Sequence, residues 1–309
     1  MHDRIAHTAE HAFIGALQRI LGQTLRVRKV EHKDSGNTAF IVIPQLDLDL
    51  VIRAESEVNS LITEGRKVSE RTFESLEEAK KQTRNLRANE ERISGKVRVV
   101  EIENHDAAAC AMEHAENLSE CEFFLVTRVS KSGDEYEVDF VVSRRAKEIA
   151  VFLSATLLRV CGELGANINT VENTARRIKA EHESNLAKLR ALSREKLDGI
   201  KPQSFGNLTL FKGVFSNLVD DQLLEFAGKK IKNKDTAVIV GNVGPEMATV
   251  VFARDEKMSE MDCNALFRKF AGDAGRGGGK PNFVTGVVKN VSVRGVIDGI
   301  SDEIMSKKF

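Results

Sequence analysis

Two short pairs carry the most chemistry in this chain: His7-x3-His11 near the start and Cys110-x3-His114 about a hundred residues later. Residues four apart on a helix share a face, so a single turn aims both imidazoles of the first pair at one point. A second segment that brings Cys110 and His114 to the same point completes a Cys/His3 set. One thiolate with three imidazoles in tetrahedral array is a donor set zinc prefers, with bonds of about 2.0–2.3 Å. His105 and Cys121 stand in the same stretch, and spacing alone leaves them open as rival ligands. Four protein donors describe a closed, structural site, whereas catalysis needs an open position from which the metal acidifies a water or polarises an ester. Glu113, beside the second pair, has the chemistry of a base for such a water. It equally suits a solvated residue or a partner to a ligand histidine.

A different chemistry is suggested near the C-terminus, where Gly277-Gly278-Gly279 is flanked by Arg276 and Lys280. Glycines let backbone N–H groups approach a phosphate closely, and the two cations supply charge. No Gly-Lys-Ser/Thr follows, so this is not a Walker loop, and a mobile turn between a helix and a strand fits it as well. Arg144-Arg145 could touch RNA phosphates or simply open a helix.

The elements that must position these groups follow from periodicity. Residues 3–22 predict an amphipathic helix, with Ile5, Ala9, Ala12, Phe13, Ala16, Leu17, Ile20 and Leu21 at helical spacing and Gly22 as its stop. Thr24–Val30 and Thr38–Ile43 read as a hairpin around Asp34-Ser35-Gly36-Asn37. A helix over 49–64 stops at Gly65, and Arg66–Phe73 is a strand. Ser75–Glu90 reads as a charged helix capped by Ser75 and Glu78. Val97–Ile102 is a strand leading into the Cys110 segment. Glu122–Ser130 and Glu135–Val142 form a second hairpin. The fold class is therefore α+β, with both metal pairs inside a domain spanning 1–144. Residues 145–164 look like a helix with a buried face. Residues 170–198 form a long charged helix with a heptad-like seam through Ile168, Val171, Ala175, Ile178, Leu189 and Leu192, so 145–201 reads as a helical strut. Residues 202–309 make a small α/β domain, with helices at Asp220–Lys232, Ser259–Phe270 and Ser292–Lys308 and strands at Thr236–Gly241 and Ala248–Ala253.

Bulk properties set the frame. The chain has 309 residues, 41% hydrophobic and 30% charged, which describes about two globular domains with real cores. No apolar run approaches the ~18 residues that span a bilayer. The opening MHDRIAHTAEH has no apolar signal core, so a cytoplasmic protein with no membrane partner is expected. Four cysteines fit a reducing compartment with a metal use for one or two. Net charge is zero, yet residues 1–166 hold 23 Lys/Arg against 28 Asp/Glu while the rest hold 23 against 18. That is the sign expected if the back half holds a polyanion.

His7-Thr8-Ala9-Glu10-His11, followed by Leu17-Gln18-Arg19-Ile20-Leu21-Gly22, resembles the HxxxH helix of the alanyl-tRNA synthetase editing domain. Free-standing AlaX editing proteins share that helix. Cys110-Ala111-Met112-Glu113-His114 resembles that family's CxxxH half-site, usually CGGTH. Gly277 through Gly286 resembles the Gly-rich signature of the DHH-associated domain that ends alanyl-tRNA synthetases and long AlaX proteins. The order of editing domain, helical strut and Gly-rich domain is similar too. The resemblance implies a zinc-dependent trans-editing hydrolase that deacylates tRNA(Ala) wrongly charged with serine or glycine, without ATP-dependent charging. It implies His7, His11, Cys110 and His114 as zinc ligands, with Thr8 and Glu113 nearest the aminoacyl group. Arg276, Gly277, Gly278, Gly279 and Lys280 would then lie on tRNA, and the strut or last domain could build a homodimer. The chain departs from the pattern at Ala111-Met112-Glu113, and again at Val27-Arg28-Lys29-Val30-Glu31-His32, where a Gln-x-Gly-Ser-like element usually stands. These departures point to an altered substrate pocket. The rival expectation is a non-catalytic tRNA-binding or regulatory protein with a structural zinc. A DHH phosphoesterase is set aside because the chain has no clustered Asp-His-His motif.

Overall fold

The computed structural model describes residues 2–33, 36–88 and 93–306. Asp34 and Ser35 of the expected turn, and the ends of the helices expected to reach Glu90 and Lys308, lie outside the described residues. The chain divides into two compact units, Met1–Asn169 and Thr170–Phe309, and the secondary structure is α+β, as the patterning predicts.

In the first unit, α1 (His2–Leu21) is a central helix rather than a surface one. Every residue from Ala6 to Leu17 is buried. Its small side chains allow this, because Ala9, Ala12 and Ala16 let neighbours approach closely while Phe13, Ile14 and Leu17 fill the core. Gly22, at φ 66, turns the chain out of the helix. One face of the surroundings is an antiparallel sheet in the order β1-β2-β7-β6, formed by β1 (Arg26–Lys33), β2 (Gly36–Val42), β6 (Phe124–Ser132) and β7 (Glu135–Val142). The rings of Phe13, Phe124 and Phe140 stack across that contact, 5.2 Å apart. α2 (Leu48–Glu64) packs beside α1, capped by Asp47 and ended by Gly65 at φ 65. A three-stranded sheet of β3 (Val68–Phe73), β4 (Val97–Ile102) and β5 (Asp106–Ala109) contributes Val100 and Ile102 to the same core.

Three expectations are corrected in this unit. The helix expected over Ser75–Glu90 is the seven-residue α3 (Leu76–Gln82). The chain then turns through Asn85, at φ 56, so that Arg87 can pair with β5: its N–H donates to Ala107 O at 2.8 Å and its carbonyl accepts from Ala109 N at 2.8 Å. Tertiary pairing overrides a strong local helix preference here. β5, with the sequence Asp-Ala-Ala-Ala, carries no strand pattern of its own. Lastly, α4 (Ser143–Leu164) buries only Ala146 and Cys161, while Val151, Phe152 and Leu158 are 70%, 64% and 56% exposed. Within its unit α4 meets β6 and β7, so its apolar residues are not the buried face that their pattern suggested.

The second unit begins with α5 (Val171–Asp198), whose described buried residues are Ser193 and Leu197. Ile178, Leu189 and Leu192 of the expected seam are exposed. A six-stranded sheet follows in the order β12-β13-β11-β10-β9-β8, made of β8 (Gln203–Phe205), β9 (Leu208–Ser216), β10 (Thr236–Val243), β11 (Met247–Arg254), β12 (Gly275–Lys280) and β13 (Phe283–Lys289). Only β9 and β10 run parallel, and the chain crosses between them through α6 (Asp220–Lys230). β10 is buried along nearly its whole length because both faces are covered. Ala237 and Ile239 meet the cluster under α7 (Cys263–Ala271) and α8 (Val293–Ser306), and Val238 and Val240 meet the cluster under α6.

The Gly-rich segment is not a loop. It is β12, the edge strand, paired in register with β13 so that Gly277 faces Gly286. A side chain on Gly277 would come within 2.6 Å of Gly286 Cα and 2.7 Å of the Phe267 ring, and one on Gly286 within 2.3 Å of that ring. The glycines make room for an aromatic ring of α7, a reason that composition alone does not show. Arg276, Gly278, Gly279 and Lys280 are exposed along the strand. No described helix is long and apolar enough to cross a membrane.

Candidate metal centre

The two pairs meet. His7 and His11 project from one face of α1, and the segment after β5 carries Cys110 and His114 back across that face. Candidate ligand atoms of all four residues lie within 4.8 Å of one another. The rings of His7, His11 and His114 form a triangle with centroid separations of 4.8, 4.8 and 4.6 Å. His7 Nε2 stands 3.1 Å from Cys110 Sγ. Tetrahedral bonds of about 2.0–2.3 Å put donor atoms roughly 3.3–3.8 Å apart, so closing on a metal needs only a small contraction. His105 and Cys121 are elsewhere: His105 Nε2 donates to Ala12 O at 2.7 Å, and Cys121 is buried with its thiol 3.5 Å from Ile5 O.

The 110–121 segment is held by bonds that do not involve a metal. Cys110 N donates to Arg98 O at 3.0 Å, and Val68 N to Glu116 O at 2.9 Å. Arg4 reaches His114 O and pairs with Glu120 at 2.6 Å. Thr8 ties the segment to α1. Its hydroxyl donates to Arg4 O at 2.7 Å, and its oxygen accepts from Ala115 N at 2.9 Å and lies 3.2 Å from His114 Nδ1. A hydroxyl has one proton, already given to Arg4 O, so the His114 contact requires Nδ1–H. The lone pair of His114 is therefore on Nε2, a buried atom with no partner among the described residues.

Behind the imidazoles lies a charged group that the sequence reading missed. Glu10 is 2% exposed; its carboxylate is 3.6 Å from His7 Nδ1 and 3.9 Å from His11 Nε2. Asp106 Oδ2 lies 3.8 Å from His11 Nδ1. Arg87 bonds Asp106 at 2.9 Å and stands 3.8 Å from Glu10. Gly15 makes this approach possible, since a side chain there would meet Asp106 Cβ at 2.7 Å. A single acid inside the apolar run of α1 was the available signal for Glu10. Arg87 had none.

Burial sets the protonation. It lowers His7 to about 4 and His114 to about 3, and holds His11 well below its usual value, with neighbouring cationic and imidazole groups adding to the effect. Burial pushes the Cys110 thiol up. Burial also raises Glu10 to about 7 against the pull of Arg87. At neutral pH the imidazoles thus present lone pairs, and Cys110 must release a proton to bind a metal. Affinity should fall as pH falls. The logarithm of the binding constant should change by about one per pH unit above pH 7.5, and by at most about two below pH 7, where Glu10 also carries a proton. Chelator competition across pH 5.5–8.5 measures this, and a slope of three or more below pH 6 would mean that the imidazoles titrate normally.

Glu113 is exposed, with Ala111 and Met112, beside Cys110. Thr8 is fully buried. Arg276 through Lys280 lie in the second unit on β12. Arg144 is exposed and pairs with Glu148.

No family model matches the chain. It is, however, distantly homologous to alanine–tRNA ligases over most of its length. It is 22% identical to the enzyme of Buchnera aphidicola, with 93% of this chain and 34% of that protein covered. It is 24% identical to those of Lactobacillus acidophilus, covering 97% and 36%, and Ignicoccus hospitalis, covering 92% and 31%. The chain thus spans about a third of the length of the curated relatives it matches. Among solved structures, the C-Ala domain of Aquifex aeolicus alanyl-tRNA synthetase aligns with 35% of this chain and 100% of that chain at 21% identity. The TM-score of that alignment is 0.32.

Proposed function

We propose that this distant homologue of the alanine–tRNA ligases is a zinc-dependent hydrolase that removes serine or glycine from mischarged tRNA(Ala). The observation that carries the reading is the convergence of an HxxxH helix and a distant CxxxH segment on one buried point, with the four donors within 4.8 Å. The donors fit the metal. His114 keeps a buried unpartnered lone pair, the histidines are neutral at pH 7, and one thiol balances part of the charge. When bound, zinc would supply a Lewis acid beside the ester.

The chain's own residues do the rest. Glu10 and Asp106 back the histidines and orient them, with Arg87 as the cation they share. Thr8 fixes the His114 tautomer, which supports a positioning role for it rather than contact with substrate. Glu113, exposed and three residues from Cys110, is the candidate to move a proton at the ester. Arg276 and Lys280, exposed on β12 with the Gly278 and Gly279 backbone, are the proposed phosphate contacts. The basic balance of the back half agrees with this. The exposed apolar residues of α4 support a homodimer through the strut as part of the same proposal.

A second reading rests on the completeness of the donor set: four protein ligands favour a structural metal in a tRNA-binding protein without turnover. One assay separates the two. The metal-loaded protein should deacylate Ser-tRNA(Ala) or Gly-tRNA(Ala) and spare Ala-tRNA(Ala). Salt-dependent tRNA binding with no hydrolysis of any misacylated tRNA would establish the structural reading instead.

A further inference from the structure

His32 lies on β1, where β1 pairs with β2, and is directly opposite Asn37. Its ring stands 5.5 Å from that of His7, nearly perpendicular to it. It is not one of the four clustered donors. Asn37 is buried, and its amide Nδ2 donates to Phe140 O at 3.2 Å. A carbonyl only accepts, so that bond fixes which way the Asn37 amide points, and its Oδ1 faces His32 Nδ1 at 2.8 Å. Since Oδ1 also only accepts, His32 carries its proton on Nδ1. In the neutral ring, the relay from Phe140 through Asn37 places the lone pair on His32 Nε2. That atom is buried and has no hydrogen-bond partner among the described residues. Buried acceptors without donors are costly and uncommon, and their locations are informative. This one stands next to the proposed metal centre, in the segment where the chain departs from the family pattern.

We propose that His32 Nε2 is a substrate contact, accepting a hydrogen bond from a donor on the aminoacyl group held at the centre. The inference rests on the deacylase reading. The donor is the α-amino group or, for serine, the side-chain hydroxyl; both present the N–H or O–H that the lone pair lacks. An imidazole held in this tautomer favours ligands that bring such a donor over those that bring another acceptor.

The experiment uses the full chain loaded with zinc. Imidazole nitrogens are observed by NMR on the 15N-histidine protein as 3′-seryl- and 3′-glycyl-amide adenosine, which cannot be hydrolysed, are added. Deacylation of Ser-tRNA(Ala) and Gly-tRNA(Ala) is compared for wild type and His32→Ala, with zinc content measured in both. The proposal expects the His32 Nε2 resonance to shift on binding. It also expects kcat/KM to fall about tenfold to a hundredfold in the variant, with zinc content unchanged. Equal losses on both tRNAs identify the amino group as the donor, and a loss confined to Ser-tRNA(Ala) identifies the hydroxyl. The proposal is overturned if wild type hydrolyses its substrate while the resonance stays still and the variant keeps full activity. It is also overturned if the variant loses zinc, which would make His32 a metal ligand. If wild type neither binds the amides nor hydrolyses the esters, the deacylase reading fails first and this inference with it.

Discussion

A Cys110→Ala protein is expected to purify with little bound zinc and to lose deacylation of Ser-tRNA(Ala) by at least about a hundredfold, since even residues that only support a ligand cost roughly 10- to 100-fold. The argument is geometric. Cys110 is the one anionic donor of the set, its sulfur 3.1 Å from His7 Nε2, and it is supplied by a segment other than α1. Without it, the remaining donors are neutral imidazoles that burial has made weakly basic. The fold should survive, because the 110–121 segment is also held through Thr8, Arg4 and the Val68–Glu116 bond. Metal analysis and a melting curve on the same preparation check both halves. Full zinc occupancy in the variant would move the metal away from these four residues.

Replacing Arg87 by methionine should destabilise the first unit by about 3–5 kcal/mol, the usual cost of stripping one partner from a buried ion cluster. Asp106 and Glu10 are almost fully buried and share Arg87 as their nearest cation among the described residues. Without it, both carboxylates face each other and two neutral histidines. Urea unfolding gives the size of the effect, and adding Asp106→Asn in the same chain should recover part of it, because the two residues are in contact. A loss below about 1 kcal/mol would mean that water or rearrangement satisfies the carboxylates.

The half-sites were legible because each is set by a spacing of four. In α1 that spacing has a mechanism, one helical face. In the second pair the described backbone is irregular, so the match there came from residue types and not from periodicity. What surrounds the metal was not legible. Arg87 lies in a stretch with the composition of a charged helix, and only its pairing to β5 draws it into the site. The lone-pair assignments for His114 and His32 depend on which carbonyl each neighbouring polar group already satisfies, information that no local pattern holds. The same limit explains β12. Glycine runs usually mark turns, and the ring that needs their missing side chains belongs to α7, which precedes them in sequence but meets them only in the folded sheet.

One hydroxyl has a consequence for how the site is assembled. Thr8 joins α1 to His114 and Ala115 by contacts between protein groups alone. Those contacts help to close the hundred-residue loop between the half-sites, a cost that coordination does not have to meet alone. Small domains that are random coil until metallated have no such tie. A protein stripped of zinc is therefore expected to keep the fold of its first unit and to regain activity when the metal is returned, which circular dichroism and a deacylation assay on the chelated and reloaded protein check.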